Sequence, residues 1–297
     1  MAKFTVLFIP MNAVGPVNAC TGVAETLQAR GHRIIFAIDQ SFKGKLVNRG
    51  FEEEIVEKDM SEEGRNNPSG SLMNLIKEIG LYDDLHEIEK LKKIFGISFA
   101  STRKQNEVIK KIIERTKPDV LVIDSIFATA IMKSGIPWVN LCSCQILMGI
   151  EDERTPPWGL GLSSYDNSEW KKYRELIKDD IAKFKSENYK LLVEDGVKPF
   201  PEDRLFESPY LNVYIYPKEL DYTDLRPIPL NWYQFDTFIR MNEEHFDLPQ
   251  KLAQRNGKLV FLSMGSLGSA NVNLMKRLIS LISDLPYRFI ITKGDDI

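Results

Sequence analysis

Val120-Leu121-Val122-Ile123 carries no polar residue on either of its alternating sides. A strand with one wet face alternates apolar and polar side chains, so a run that is apolar on both sides must be covered above and below. A parallel sheet between layers of helices meets that demand, and the neighbouring chain supplies the pieces in order. An opening strand from about Phe4 to Ile9 leads into a loop, Met11-Asn12-Ala13-Val14-Gly15-Pro16-Val17. Cys20, Val23, Ala24 and Leu27 follow at helical spacing, and Arg30-Gly31 supplies a stop. Arg33–Ile38 reads as the second strand and Phe42–Arg49 as a short helix ended by Gly50. Lys117-Pro118-Asp119 breaks the helix marked by Val108, Ile109, Ile112 and Ile113, because proline cannot continue it. A short helix and the strand Trp138–Leu141 follow.

Between these pieces the pattern is weaker. Residues 52–104 hold an acidic run (Glu52, Glu53, Glu54), a polar loop around 64–70 and helical segments near 71–94. A long helix is expected over 168–193 and a strand over 211–216. Pro217, Pro227, Pro229 and Pro249 then interrupt regular structure, which makes 217–257 an interdomain linker, packed through Tyr222, Trp232, Tyr233 and Phe235. From residue 258 the alternation restarts: strand 259–263, a glycine-bearing turn 264–269, a helix with Val272, Met275, Leu278, Ile279 and Ile282 on one side, and strand 288–292. The expected fold is α/β, with a Rossmann-like domain at 1–216 and, at 258–297, the first βαβ part of a second one. Two strands and one helix cannot cover a parallel sheet, so this second domain is expected to be incomplete.

Charge and cysteine content exclude several classes. The 39 basic and 42 acidic residues leave a net charge of −3, with no basic excess to neutralise phosphates, so no nucleic-acid partner is expected. No apolar stretch approaches the roughly 20 residues that span a bilayer, so no membrane is expected as a partner. Three cysteines (Cys20, Cys142, Cys144) make a disulfide framework improbable and suit a reducing cytoplasm. Without a nearby histidine they read as packing residues rather than metal ligands.

In an open α/β sheet, ligands bind beyond the carboxyl ends of the strands. The loops at 11–17, 124–127, 142–148 and 264–269 leave such ends, an arrangement expected to hold a small molecule between two domains. Lys117-Pro118-Asp119-Val120-Leu121-Val122-Ile123-Asp124, Tyr216-Pro217 through Leu230-Asn231-Trp232, and Leu259-Val260-Phe261-Leu262-Ser263-Met264-Gly265-Ser266-Leu267-Gly268 resemble, in order, the UDP-glycosyltransferase family of GT-B fold. The loop Gly15-Pro16-Val17-Asn18-Ala19-Cys20 is also similar to that family's first loop. The lack of signal and anchor resembles the soluble bacterial-type and mite-type members, here C-terminally truncated.

The resemblance implies a hexosyltransferase that moves a sugar from a UDP-sugar, as co-substrate, to a hydroxyl of a small lipophilic acceptor, with inversion. It implies a role in detoxification and xenobiotic metabolism, no metal or other cofactor, and a monomer. In the family a histidine after the first strand is the general base and an aspartate at a later strand end orients it. Asp124 matches that aspartate, and a plain helix N-cap over 126–134 is its structural alternative. Gly265 and Ser266 match the donor-phosphate turn, where glycine lets backbone N–H groups approach a diphosphate. Asn12, Pro16 and Asn18 would line the acceptor site.

The sequence departs from the family in two places. Pro16 stands where the family has its histidine, and a proline cannot take a proton. With Gly15 as N-cap, Pro16 would suit the first position of a helix. Neither His32 nor His245 is placed to replace the base, and His86 lies in a variable segment. The donor signature with its base-stacking tryptophan and His-Gly-Gly turn does not occur before Ile297. A chain lacking both is expected to turn over little substrate; the alternatives are a non-catalytic small-molecule-binding or sequestering protein, or a fragment.

Overall fold

The computed structural model describes residues 2–56, 80, 83, 86–124, 128–198, 207–241, 245–269 and 271–292, with the side chains of 95–104, 266 and 267 outside that description. Two compact units result, one ending at Met241 and one starting at Asn242.

The first unit is built on a seven-stranded parallel sheet. Its strands are β1 (Thr5–Ile9), β2 (Arg33–Asp39), β3 (Glu52–Val56), β4 (Val120–Asp124), β5 (Trp138–Cys142), β6 (Leu211–Ile215) and β7 (Trp232–Phe235), in the order β3-β2-β1-β4-β5-β6-β7. The chain works outward from β1 in one direction and from β4 in the other. The order therefore reverses between these two strands, which makes their carboxyl ends a switch point.

The double-sided apolar strands do what their sequences require. Val6, Phe8, Ile34, Phe36, Ile38 and Val122 pack on one face with Val17, Cys20 and Ala24 of α1 (Val14–Ala29). Leu7, Ile9, Ile35, Ala37, Leu121 and Ile123 pack on the other with Ile109, Ile112 and Ile113 of α2 (Glu87–Thr116) and Ile131 of α3 (Thr129–Lys133). Successive residues of a strand point to opposite faces, so each of these short runs feeds two cores at once. Lys117 adopts a left-handed conformation (φ 45°) that ends α2, and Pro118 prevents its continuation. Asp119 then ties the start of β4 to β1: Thr5 N–H donates to Asp119 Oδ2 at 2.7 Å, and Asp119 N–H to the Thr5 carbonyl at 2.8 Å.

Several boundaries differ from the sequence expectation. The acidic run Glu52–Glu54 belongs to edge strand β3. Its charges are used locally: Glu52 pairs with Arg33, Glu54 with Arg115, and Glu53 accepts from Gly44 N–H (2.7 Å) and Leu46 N–H (2.8 Å). Short-range propensity disfavours glutamate in a strand, and these partners overrode it. Between β2 and β3 the chain makes two 3₁₀ turns, 40–42 and 47–49, in place of one helix, and Gly50 closes the second with φ 79°. α2 runs unbroken through residues 87–116, whereas two helical segments were expected there. The polar loop expected at 64–70 lies outside the described residues. α4 (Ile146–Gly149) is a single turn, and α5 (Trp170–Glu194) fills the expected long helix. β7 falls within the stretch expected as linker, where Trp232–Phe235 pairs in parallel with β6.

β7 is joined to β6 by a segment closed on a buried ion pair. Arg226 Nη2 lies 3.1 Å from Asp221 Oδ1, and both side chains are fully buried. Tyr214 Oη donates to Asp221 Oδ2 at 2.7 Å, and Tyr222 N–H donates to Oδ1 at 2.8 Å. Burial and the Asp221 carboxylate push the Tyr214 phenol well above its ordinary range.

The second unit holds α6 (Gln250–Ala253), β8 (Leu259–Leu262), α7 (Gly265–Ser269), α8 (Val272–Ile282) and β9 (Arg288–Ile291). β8 and β9 pair in parallel, as a βαβ unit. Asn271 caps α8 by accepting from Leu274 N–H at 3.0 Å, and Met275 is its fully buried contact.

Removing one partner of a fully buried ion pair leaves an uncompensated charge in the interior. Arg226→Met is accordingly expected to cost about 3–5 kcal/mol in urea unfolding. The double variant Arg226→Met/Asp221→Asn should recover a substantial part of that loss; equal losses in both would show that the pair's charge is unimportant.

Candidate functional site

Asp124 is the last residue of β4 and has no exposed surface. It shares its side of the strand with Val122, whose face of the sheet is covered by α1. Three chain segments meet around it. Met11 N–H, just beyond β1, donates to the Asp124 carbonyl at 3.1 Å. Ser143, just beyond β5, donates its backbone N–H to Oδ1 at 3.3 Å and its hydroxyl to Oδ2. The ends of β1, β4 and β5 are thus joined through one residue at the switch point. Asp124 is not the N-cap of α3, which begins at Thr129 with Ala128 as its N-cap. Ser143 is a contributor that the sequence reading left aside among the cysteines. Its only signal in the sequence is its place directly after β5.

The helix that faces Asp124 begins earlier than expected. Ala13 is the N-cap of α1, with extended backbone and no side-chain cap, so Gly15 is not the cap. Pro16 occupies the third helical position and is buried. A proline costs nothing there, because the first N–H groups of a helix have no intrahelical partner. The Ala13 carbonyl instead receives Val17 N–H at 3.1 Å. The position thus carries an apolar ring that can neither donate nor accept a proton.

Asn12 and Asn18 differ in their engagement. Asn12 follows β1, and its Oδ1 is buried with no hydrogen-bond partner among the described residues. A buried acceptor without a donor costs free energy, so a ligand hydroxyl placed there would relieve it. Asn18 Oδ1 accepts from Arg240 Nη1 at 2.8 Å. Its carboxamide oxygen is therefore committed to a distant part of the chain.

The histidines stand at other places. His32 precedes β2, stacks on Phe4 and accepts from Phe4 N–H at 3.2 Å, which puts it at the amino end of the strands. His86 caps α2 by accepting from Ile88 N–H at 3.2 Å and stacks on Tyr173. His245 belongs to the second unit, where it is exposed and lies 3.1 Å from Asp247.

The thiols respond to Asp124. Burial, reinforced by the Asp124 charge, raises Cys20 well above the ordinary thiol range. The same two causes, in the same order, bring Cys142 up to about 12. Both remain protonated at neutral pH and behave as small apolar side chains. Among the described residues, no three His, Cys, Asp or Glu side chains gather in a way that could hold a metal ion, and no helix is long and apolar enough to cross a membrane.

In the second unit the stretch expected as a donor-phosphate turn, 264–269, is mostly the short helix α7, and Gly265 is its first residue. Gly265 has φ 64°, and a Cβ there would meet nothing within 4 Å. Its positive φ explains the glycine. Gly265 N–H is oriented toward Ser263 Oγ at 3.4 Å, and Ser263 Oγ lies 2.9 Å from Thr292 Oγ1. The carboxyl ends of β8 and β9 therefore carry a pair of hydroxyls that the sequence reading did not single out. The Ser266 side chain lies outside the described residues.

No protein-family model matches the sequence, and no curated protein is similar to it at a significant level. Solved structures do share its fold. A glycosyltransferase of Streptomyces sp. SF2575, complexed with thymidine diphosphate, superposes with a TM-score of 0.59 at 15% identity, over 99% of this chain and 69% of that one. A calicheamicin glycosyltransferase gives 0.59 at 14% identity, over 100% and 67%. A glycosyltransferase from Streptomyces nogalater gives 0.55 at 15% identity, over 99% and 68%. At these identities the likeness is one of fold. The chain has an α/β, GT-B-like architecture and spans roughly two thirds of the length of these enzymes.

The buried thiols yield a direct test. Burial and the Asp124 charge keep the Cys142 thiol protonated at pH 8, so iodoacetamide should modify half-buried Cys144 first and leave Cys20 and Cys142 intact until the chain unfolds. Mass spectrometry of digests taken over time checks the order. Early labelling of Cys142 would contradict its placement beside Asp124.

Proposed function

We propose that this chain is of the GT-B glycosyltransferase kind, whose reaction moves a sugar from a UDP-sugar to a small lipophilic hydroxylated acceptor with inversion, and that the chain itself turns over little substrate. The first unit receives the acceptor at the ends of β1, β4 and β5. The second unit offers the start of α7, at Gly265 and Ser266, to the donor diphosphate. No metal takes part in this reading.

The observation that carries it is the position of Asp124: a buried carboxylate at the switch point of the sheet, on the face covered by α1. The likeness in fold to sugar-nucleotide enzymes supports the same reading. In this arrangement the acceptor hydroxyl donates to Asn12 Oδ1, and Asp124 acts from behind as a positioning residue. Where the family places a base that Asp124 would orient, Pro16 offers none. Here the carboxylate is held by Ser143. A missing general base costs typically about 10²–10⁴-fold in rate. The proposed chemistry is therefore one for which this chain retains the site but not the proton acceptor.

Incubation with UDP-sugars and a panel of phenolic acceptors is expected to give no glycoside above the blank, while calorimetry detects acceptor binding. Asn12→Ala should weaken that binding about five- to tenfold, the loss of one hydrogen bond to a buried group. Robust turnover by the unaltered chain would contradict the role given to Pro16. Absence of any acceptor binding would contradict the site itself.

A further inference from the structure

The last six residues of the first unit, 236–241, run back along α1 and meet one line of residues on it. Asn18, Gly22 and Glu25 are spaced i, i+4 and i+7, so they share a face of the helix. Each receives a different part of the segment. Asn18 Oδ1 accepts from Arg240 Nη1 at 2.8 Å. Glu25 Oε2 accepts from Met241 N–H, while its other oxygen pairs with Arg49 at 2.7 Å. The middle contact is backbone on backbone: a Cβ on Gly22 would lie 2.5 Å from the Phe238 carbonyl oxygen and 3.1 Å from that of Ile239. The Phe238 side chain meanwhile packs against the core cluster that α1 shares with the sheet, and its ring lies 5.3 Å from that of Phe235.

Glycine in the middle of a helix is otherwise unfavourable relative to alanine, and here close backbone approach explains it. Glu25 is equally unusual: a carboxylate with almost no exposure, placed where it holds both Arg49 and the amide of Met241. These contacts are independent in kind (one steric, one charged, one amide to guanidinium), and all fall on a single helical stripe.

We propose that residues 236–241 form a clasp on α1 that fixes where the chain leaves the first unit, and that Asn18 links this clasp to the first turns of the same helix. The link deepens the functional reading above and rests on it only in its second part. A ligand that draws Asn18 toward itself competes with Arg240 for the same oxygen. By reciprocity, loosening the clasp changes the affinity for that ligand by the factor with which the ligand loosens the clasp.

Hydrogen–deuterium exchange on the full chain tests the clasp without any ligand. Gly22→Ala should accelerate exchange in peptides covering 236–241 at least tenfold and leave peptides of β1, β2 and β4 unchanged. Asn18→Ala, which places no atom in the way, should accelerate the same peptides severalfold and covers the case in which Gly22→Ala does not fold. Exchange at 236–241 as slow as in the unaltered chain, in whichever of these variants folds, would overturn the clasp. The link is tested separately by calorimetry with a phenolic acceptor. Gly22→Ala with a loosened clasp and a changed acceptor affinity supports it, and a loosened clasp with unchanged affinity overturns the link alone. Loss of acceptor binding already in the unaltered chain would defeat the functional reading and leave the clasp standing.

Discussion

The register between β1 and β4 decides where every candidate residue of the first unit lies. Asp119 sets it from below, through paired hydrogen bonds with Thr5, and the ladder then matches Val6 to Val120 and Ile9 to Ile123. β4 runs one residue beyond the end of β1, and the Met11 amide reaches the Asp124 carbonyl. A slip of one residue would turn Val122 and Asp124 to the α2 face and expose the double-sided core to mismatched partners. Because both faces are buried, that slip is costly, and the carboxylate is held in place by the whole packing of the sheet.

α1 carries two duties on different faces. Val17, Cys20 and Ala24 fasten it to the sheet, while Asn18, Gly22 and Glu25 receive the returning chain. Its first turn has no side-chain cap and holds the buried Pro16. The fold of this region is therefore complete with Pro16 in place. Pro16 suits this helix start, which needs no N–H from it.

The central strands and α1 were legible because their apolar runs have the right period and length. Val120–Ile123 permitted only a strand covered on both faces, and Cys20, Val23, Ala24 and Leu27 only a one-sided helix. The place of Asp124 at the end of that strand was legible from the same run, whereas its candidate role came from the resemblance alone. β3 was hidden, since three glutamates in a row carry no apolar signal and gain their partners only from Arg33, Arg115 and the 44–47 backbone. β7 was hidden by the prolines on its flanks, and the Asp221–Arg226 pair that closes its connection has no sequence periodicity. Ser143 and the clasp residues depend on contacts across 19 and 222 positions of chain, a range over which local pattern says nothing.

The central claim is that the carboxyl ends of β1, β4 and β5 receive the ligand of this protein. Its most direct test is an amide NMR titration of the chain with a phenolic acceptor. The account predicts that the largest shifts fall on Met11, Asn12 and Ser143, around the Asp124 carboxylate. Shifts centred on the amino ends of the strands, near Phe4 and His32, with these amides unmoved, would contradict it.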